Sequence, residues 1–200
     1  MYEFIGLQKK WSISKSSNGS DFGMPHLAEH LLHLRGVITQ KQSDEYLNTP
    51  ESLYLPPNIL TDLEEAIARV KIARDRKEKV CIYGDFDADG ITGTALLIKA
   101  FLRFGIFAIP YIPDRSSEGH GLNFSSLKKI ASNGVKLIVT VDCGTNDLEE
   151  ISFAKSMGVD TIVTDHHASG VSESDAIAIL NPKSELNSNK FDQLTGVAWL

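Results

Sequence analysis

The chain has 200 residues, 42% of them hydrophobic and 23% charged, with 15 Gly and 7 Pro, a composition that excludes wholesale disorder. A chain of this length buries a core without disulfide or metal staples. The formal net charge of −6, from 20 Lys+Arg against 26 Asp+Glu, excludes a bulk attraction for nucleic acid, so any such contact must be local or carried by bound cations. The two cysteines, Cys81 and Cys143, match no CxxC pattern, and their scarcity fits a reducing compartment and free thiols. Met1–Lys10 lacks the apolar core of an export signal, and no apolar run approaches the roughly 18 residues of a membrane span. The expected location is the cytoplasm.

From Met1 to about Pro57 the texture is polar and interrupted. Ser12 to Ser20 forms a loop-like stretch after Trp11. Leu27, Leu31, Leu32 and Leu34 predict one short helix ending near Gly36, and Ser43–Leu47 a second, stopped by Pro50. Pro56-Pro57 closes this region. Thr61 and Glu64 form a capping-box pattern, with Leu63, Ala66, Ile67, Val70 and Ala73 following at helical spacing. Strands are then predicted at Val80–Tyr83, Phe107–Ile112, Leu137–Val141, Thr161–Thr164 and Ala176–Leu180. Helices are predicted between them at Ile91–Phe104, Phe124–Ser132 and Leu148–Met157, the first and last ended by Gly105 and Gly158. This alternation predicts an α/β domain over residues 61–200, a mostly parallel sheet with helices on both faces. A small, mainly helical appendage over residues 1–60 precedes it.

In such a sheet ligands sit at the carboxyl ends of the strands, so the residues just after each strand matter most. Gly84-Asp85-Phe86-Asp87-Ala88-Asp89-Gly90 follows the first strand, Asp142-Cys143-Gly144 the third and Asp165-His166-His167 the fourth. One Asp after one strand is ordinary turn or cap chemistry. Five Asp and two His converging on one edge would repel and be costly to desolvate unless cations neutralised them, which points to divalent metal. An EF-hand reading of Asp85, Asp87, Asp89 and Gly90 fails: the twelfth loop position, which needs a bidentate Glu, is Leu96. Carboxylates with imidazoles suit Mn²⁺, Mg²⁺, Fe²⁺ or Zn²⁺, and two ions about 3.5–4 Å apart would serve an in-line displacement at phosphorus. Asp142 is the candidate bridging ligand, with Cys143 beside it read as a small buried residue rather than a ligand. After the second strand, Arg115 has two readings: a bidentate phosphate clamp, or an ion-pair partner of Asp114 or Glu118. His120, between two glycines, is either a substrate contact or a solvent-facing loop residue.

Together these motifs resemble the DHH phosphoesterase superfamily, and within it the RecJ-type 5′→3′ single-strand-specific DNA exonucleases. The resemblance runs from Trp11 almost to the end of the chain. It is carried by Tyr83–Gly90, Ile112-Pro113-Asp114-Arg115, Val141–Gly144, Val163-Thr164-Asp165-His166-His167 and Asn181-Pro182-Lys183. It implies a pair of Mn²⁺ or Mg²⁺ ions held by Asp87, Asp89, Asp142 and His166. Asp85 and His167 would then stand in catalytic positions beside them, and Arg115, Ser117 and His120 would meet substrate. It further implies release of 5′-mononucleotides from single-stranded DNA in repair and recombination, with a single-strand-binding protein and a helicase as partners. The family usually has Tyr where this chain has His120. It also continues with a further metal-binding Asp, a long helix, a second domain and an OB-fold. The chain is therefore expected to be an N-terminal piece, incomplete at the C-terminus of its catalytic domain and weakly active or inactive alone. The alternatives are another hydrolase of the superfamily, acting on short oligonucleotides, cyclic dinucleotides or pyrophosphate, and a non-catalytic binding module. Intact ligands argue against the module.

Overall fold

The computed structural model describes residues 21–48, 60–168 and 173–183 in full, and the backbone alone of residues 2–6 and 9–13. Pro50, Pro56-Pro57 and the part of the serine-rich stretch beyond Ile13 lie outside these residues. The chain separates into two units, Met1–Pro56 and Pro57–Leu200.

In the first unit, β1 (Tyr2–Gly6) and β2 (Lys9–Ile13) pair antiparallel, with Tyr2 opposite Ile13. Ser12 therefore lies in a strand, where the serine content suggested a loop; Lys10-Trp11-Ser12-Ile13 alternates with the period of a strand. Helix α1 (His26–Leu34) falls where the leucines predict it. Helix α2 (Gln40–Asn48) starts three residues before the predicted Ser43. The reason is a reciprocal cap: the Gln42 N–H donates to Thr39 Oγ1 (3.2 Å) and the Thr39 N–H to Gln42 Oε1 (3.1 Å). Phe22, Leu32 and Val37 form a small buried cluster with Met24 against it.

The second unit opens with α3 (Leu63–Asp75). Its N-cap is Asp62, whose side chain makes no cap bond; the Asp62 carboxylate instead accepts the Ile179 N–H (2.9 Å). The start of α3 is thus tied to the sheet through Asp62, the residue after the expected Thr61. There follow β3 (Lys79–Gly84), α4 (Ala88–Arg103), β4 (Ala108–Tyr111), α5 (Phe124–Ser132), β5 (Val135–Val141), α6 (Leu148–Ser156), β6 (Asp160–Thr164) and β7 (Ala178–Leu180). The five strands form one parallel sheet in the order β4-β3-β5-β6-β7.

The strands read as continuous apolar runs because both faces are covered. Val80, Ile82, Leu137, Val139 and Ile162 pack with Ala73, Leu97 and Phe101 of α3 and α4. Cys81, Tyr83, Ile138 and Val163 pack with Leu127, Ile130, Ile151 and Ala154 of α5 and α6. Each fully buried aliphatic side chain contributes about 1.5–3 kcal/mol. The chain leaves β3 toward β4, then returns past it to β5, so the strand order reverses between β3 and β5. Crossovers on either side of that point place their helices on opposite faces and open a crevice at the strands' carboxyl ends.

Candidate metal centre

The sheet's own ladder positions three of the acidic residues. The Asp85 N–H donates to Val141 O (3.0 Å), that of Asp142 to Thr164 O (3.0 Å) and that of Asp165 to Leu180 O (3.1 Å). Each Asp thus extends its strand by one bond onto the neighbouring strand, which holds all three on one edge. Asp142 adopts φ 62°, an uncommon conformation for a residue with a Cβ that turns the chain sharply at the switch point. Thr140 braces the turn by donating to Cys143 O (2.7 Å).

Asp87 is the N-cap of α4, its Oδ1 accepting from the N–H groups of Asp89 (2.9 Å) and Gly90 (3.0 Å). The Gly90 bond is the main reason its carboxyl is held below the usual range. This first turn lies hard against the loop: a Cβ on Gly90 would stand 2.4 Å from Asp85 O and 2.6 Å from Asp85 N.

Asp85, Asp87 and Asp142 each offer a carboxylate oxygen within 4.8 Å of the others, and so do Asp142, His166 and His167 with their oxygen and ring nitrogens. Asp142 belongs to both groups. It is 2% exposed, and burial, reinforced by the charges of Asp89 and Asp87, pushes its carboxyl up to about 7. His166 Nε2 stands 3.0 Å from Asp142 Oδ1 and 3.8 Å from Asp89 Oδ2. Despite the first distance, Asp142 Oδ1 has no hydrogen-bond partner, and neither does the buried Asp85 Oδ1. A buried carboxylate oxygen without a well-formed hydrogen bond is costly, and carboxylate oxygens facing an imidazole nitrogen are a donor set for a divalent cation.

Asp165 differs. Its Oδ1 accepts from the N–H groups of His166 (2.7 Å) and His167 (3.1 Å) and from His167 Nδ1 (2.7 Å), and its Oδ2 from the Thr145 N–H (3.0 Å). Burial would raise its carboxyl, but the His167 and Thr145 bonds outweigh burial and hold it low. It orients the two histidines, leaving Nε2 of His167 as the nitrogen with a lone pair. Burial would lower the His167 imidazole; the Asp165 carboxylate overrides it and raises it.

Cys143 is buried with its thiol on Tyr83 O (3.8 Å), burial raises it well above its ordinary value, and it belongs to neither ligand group. Arg115 pairs with neither Asp114 nor Glu118. Its guanidinium lies over the Phe86 ring, 5.2 Å from the centroid, and Phe86 in turn packs against His120 at 4.2 Å. His120 is 72% exposed, its Nδ1 3.2 Å from Asp85 Oδ2. The Ser117 hydroxyl donates to Asp114 Oδ1 (2.9 Å) and closes the loop. Sequence reasoning gave no role to Thr145, Asp147 or Asn181. The Asn181 amide donates to Thr145 Oγ1 (2.9 Å) and to His167 O (2.9 Å), tying the end of β7 to the histidine turn. Asp147 lines the same cleft, of about 310 Å³, as Asp85, His120, Asp142 and His167. Its only signal in the sequence is its place just beyond the β5 turn.

Residues 79–197 match the DHH family, N-terminal domain. The chain is 37% identical over 171 residues to a single-stranded-DNA-specific exonuclease RecJ of Bacillus subtilis (strain 168), covering 86% of this chain and 22% of that protein. With the protein of the same name from Escherichia coli (strain K12) it is 36% identical over 160 residues, covering 80% and 27%. The structure superposes on a crystal structure of exonuclease RecJ bound to manganese with a TM-score of 0.65 and 31% identity, covering 72% of this chain and 36% of the other. The chain spans about a quarter of the length of the curated relatives it matches.

Proposed function

The chain belongs to the DHH family, and from that premise we propose that it carries the metal-binding part of a phosphodiesterase that removes 5′-mononucleotides from single-stranded DNA. The observation that carries this reading is Asp142: a buried carboxylate shared by two donor groups, its Oδ1 facing His166 Nε2 at 3.0 Å without a well-formed hydrogen bond. In the proposal Asp87, Asp89, Asp142 and His166 hold two Mn²⁺ or Mg²⁺ ions, Asp142 shared between them, with Asp85 and His167 beside them in the catalytic set. Two such ions, when bound, lower the pKa of a water and stabilise the attacking and leaving oxygens of an in-line displacement. They also supply the positive field that a net charge of −6 lacks.

The chain's own residues do the rest. Asp165 holds His167 in one tautomer and orientation. Arg115, stacked on Phe86 and without an acidic partner among the described residues, would clamp a phosphate bidentately. His120 and Ser117 shape the same rim and meet the substrate strand. The resemblance to RecJ supports a role in repair and recombination in the cytoplasm, beside a single-strand-binding protein and a helicase. Single-stranded DNA labelled at its 5′ end, incubated with Mn²⁺ and either this chain or a longer chain containing it, tests the reading. Labelled mononucleotide released by the longer chain, and abolished by chelator, is expected; cleavage of pyrophosphate or dinucleotides in its place would overturn the substrate assignment.

A further inference from the structure

Asp147 stands at the N-cap of α6, where a carboxylate ordinarily accepts from the first turn of its own helix, yet it makes no side-chain cap there. Its Oδ2 accepts instead from the Leu122 N–H, at 2.7 Å and 25 residues away in sequence. Gly121 presses on the same carboxylate: its φ is +77°, and a Cβ built there would lie 2.6 Å from Oδ2. The Tyr83 hydroxyl donates to Gly121 O (3.0 Å) from the other side. Asp147 is itself rigidly rooted, its N–H on Gly144 O (3.2 Å) and its carbonyl accepting from the Ile151 N–H (3.0 Å). His120, next along the chain, sits between two glycines of positive φ, Gly119 and Gly121, a segment free to swing unless one end is tied.

We propose that Asp147 is a positioning residue: by holding Leu122 and Gly121 it fixes the root of the loop that places His120 against Asp85 at the mouth of the metal centre. Diverting the carboxylate from the helix cap leaves α6 without a side-chain cap and joins the β4–α5 loop to the β5–α6 turn. The two loops flanking the crevice are thereby coupled. The proposal rests on the metal-centred reading only for what His120 approaches; the anchoring is a property of the protein without metal.

The test compares the wild-type chain with Asp147→Ala and Asp147→Asn by amide hydrogen exchange and by nuclear magnetic resonance of backbone and imidazole signals, with Mg²⁺ as the probe. Without metal, Asp147→Ala should speed exchange of the Leu122 amide about 10- to 100-fold, the span of a charge-assisted hydrogen bond. Asp147→Asn, which keeps an accepting oxygen, should restore most of the protection. On adding Mg²⁺, the Asp89 and Asp142 amides should respond in all three proteins with midpoints within about twofold. The His120 ring should respond in the wild type and in Asp147→Asn but not in Asp147→Ala. Unchanged Leu122 exchange in Asp147→Ala, or a retained His120 response there, would overturn the proposal. If Mg²⁺ moves no signal even in the wild type, the metal reading fails, and Leu122 exchange still decides the anchoring.

Discussion

Replacing Gly90 by Ala would place a methyl carbon 2.4 Å from Asp85 O, 2.6 Å from Asp85 N and 2.7 Å from Asp85 C. Carbon atoms pack favourably at about 3.5–4.0 Å, so the shortest of these contacts must open by roughly 1 Å. All three neighbours are backbone atoms, and the Asp85 N–H is bonded to Val141 O, so no side chain can rotate to relieve the clash. Either the first turn of α4 lifts, taking Asp87 and Asp89 with it, or Asp85 leaves the sheet edge. Overpacking of this kind costs about 1–3 kcal/mol, roughly 2–12 °C of melting temperature at this chain length. Displacing positioned groups by about 1 Å costs on the order of 100-fold in a catalysed rate. The assay is thermal melting with and without Mn²⁺. Ligand at a hundred times its dissociation constant should stabilise the wild type by about 2.7 kcal/mol, and Gly90→Ala should lose that increment. Gly158→Ala is the control, because its Cβ meets nothing within 4 Å. Its left-handed backbone costs about 1–2 kcal/mol, yet the Mn²⁺ increment should survive. A Gly90→Ala protein with the full increment would refute the claim that close packing of α4 on the loop builds the site.

Asp142→Asn removes the shared carboxylate while keeping its shape. The metal-free melting temperature should hold or rise, since like-charge repulsion and charge burial are relieved, and Mn²⁺ should no longer shift it. Asp165→Ala leaves the Thr145, His166 and His167 N–H groups without their acceptor. Urea unfolding should show a loss of about 2–4 kcal/mol, and calorimetry a roughly 10- to 100-fold weaker Mn²⁺ affinity. Arg69 is buried at 2.8 Å from Glu78 and 2.6 Å from Asp160, with its Nη2 donating to Lys136 O. Arg69→Met should cost about 1–3 kcal/mol in urea unfolding, less than a fully buried pair because Asp160 is partly solvated. Equal stability of the variant would show the cluster to be dispensable.

Much of this was legible in the residues. The run Leu137–Val141, rich in β-branched residues and buried throughout, marks a central strand without any tertiary information. Helix α5 begins and ends as its periodicity predicts. The acidic motifs after β3, β5 and β6 declare themselves because a strand's end is a local event and a parallel sheet brings such ends to one edge. The reciprocal cap at Thr39 and Gln42 escaped the sequence reading, which looked for the start of α2 at Ser43.

What the sequence by itself determined is therefore the elements of the α/β domain, the edge at which chemistry gathers and the acidic, imidazole-bearing character of that edge. Only the tertiary structure decided which carboxylates face the donor groups and which are taken up by backbone N–H groups. Asp142 and Asp165 look alike in sequence, each following a β-branched strand. Yet one turns its buried Oδ1 to the His166 imidazole, and the other accepts from Thr145, His166 and His167. Asp62 and Asp147 both stand where helix caps belong, and both reach across to another segment. The physical reason is range. Periodicity and capping depend on neighbours within one or two turns, whereas the partner of a carboxylate at a strand's end depends on which strand the sheet order places beside it.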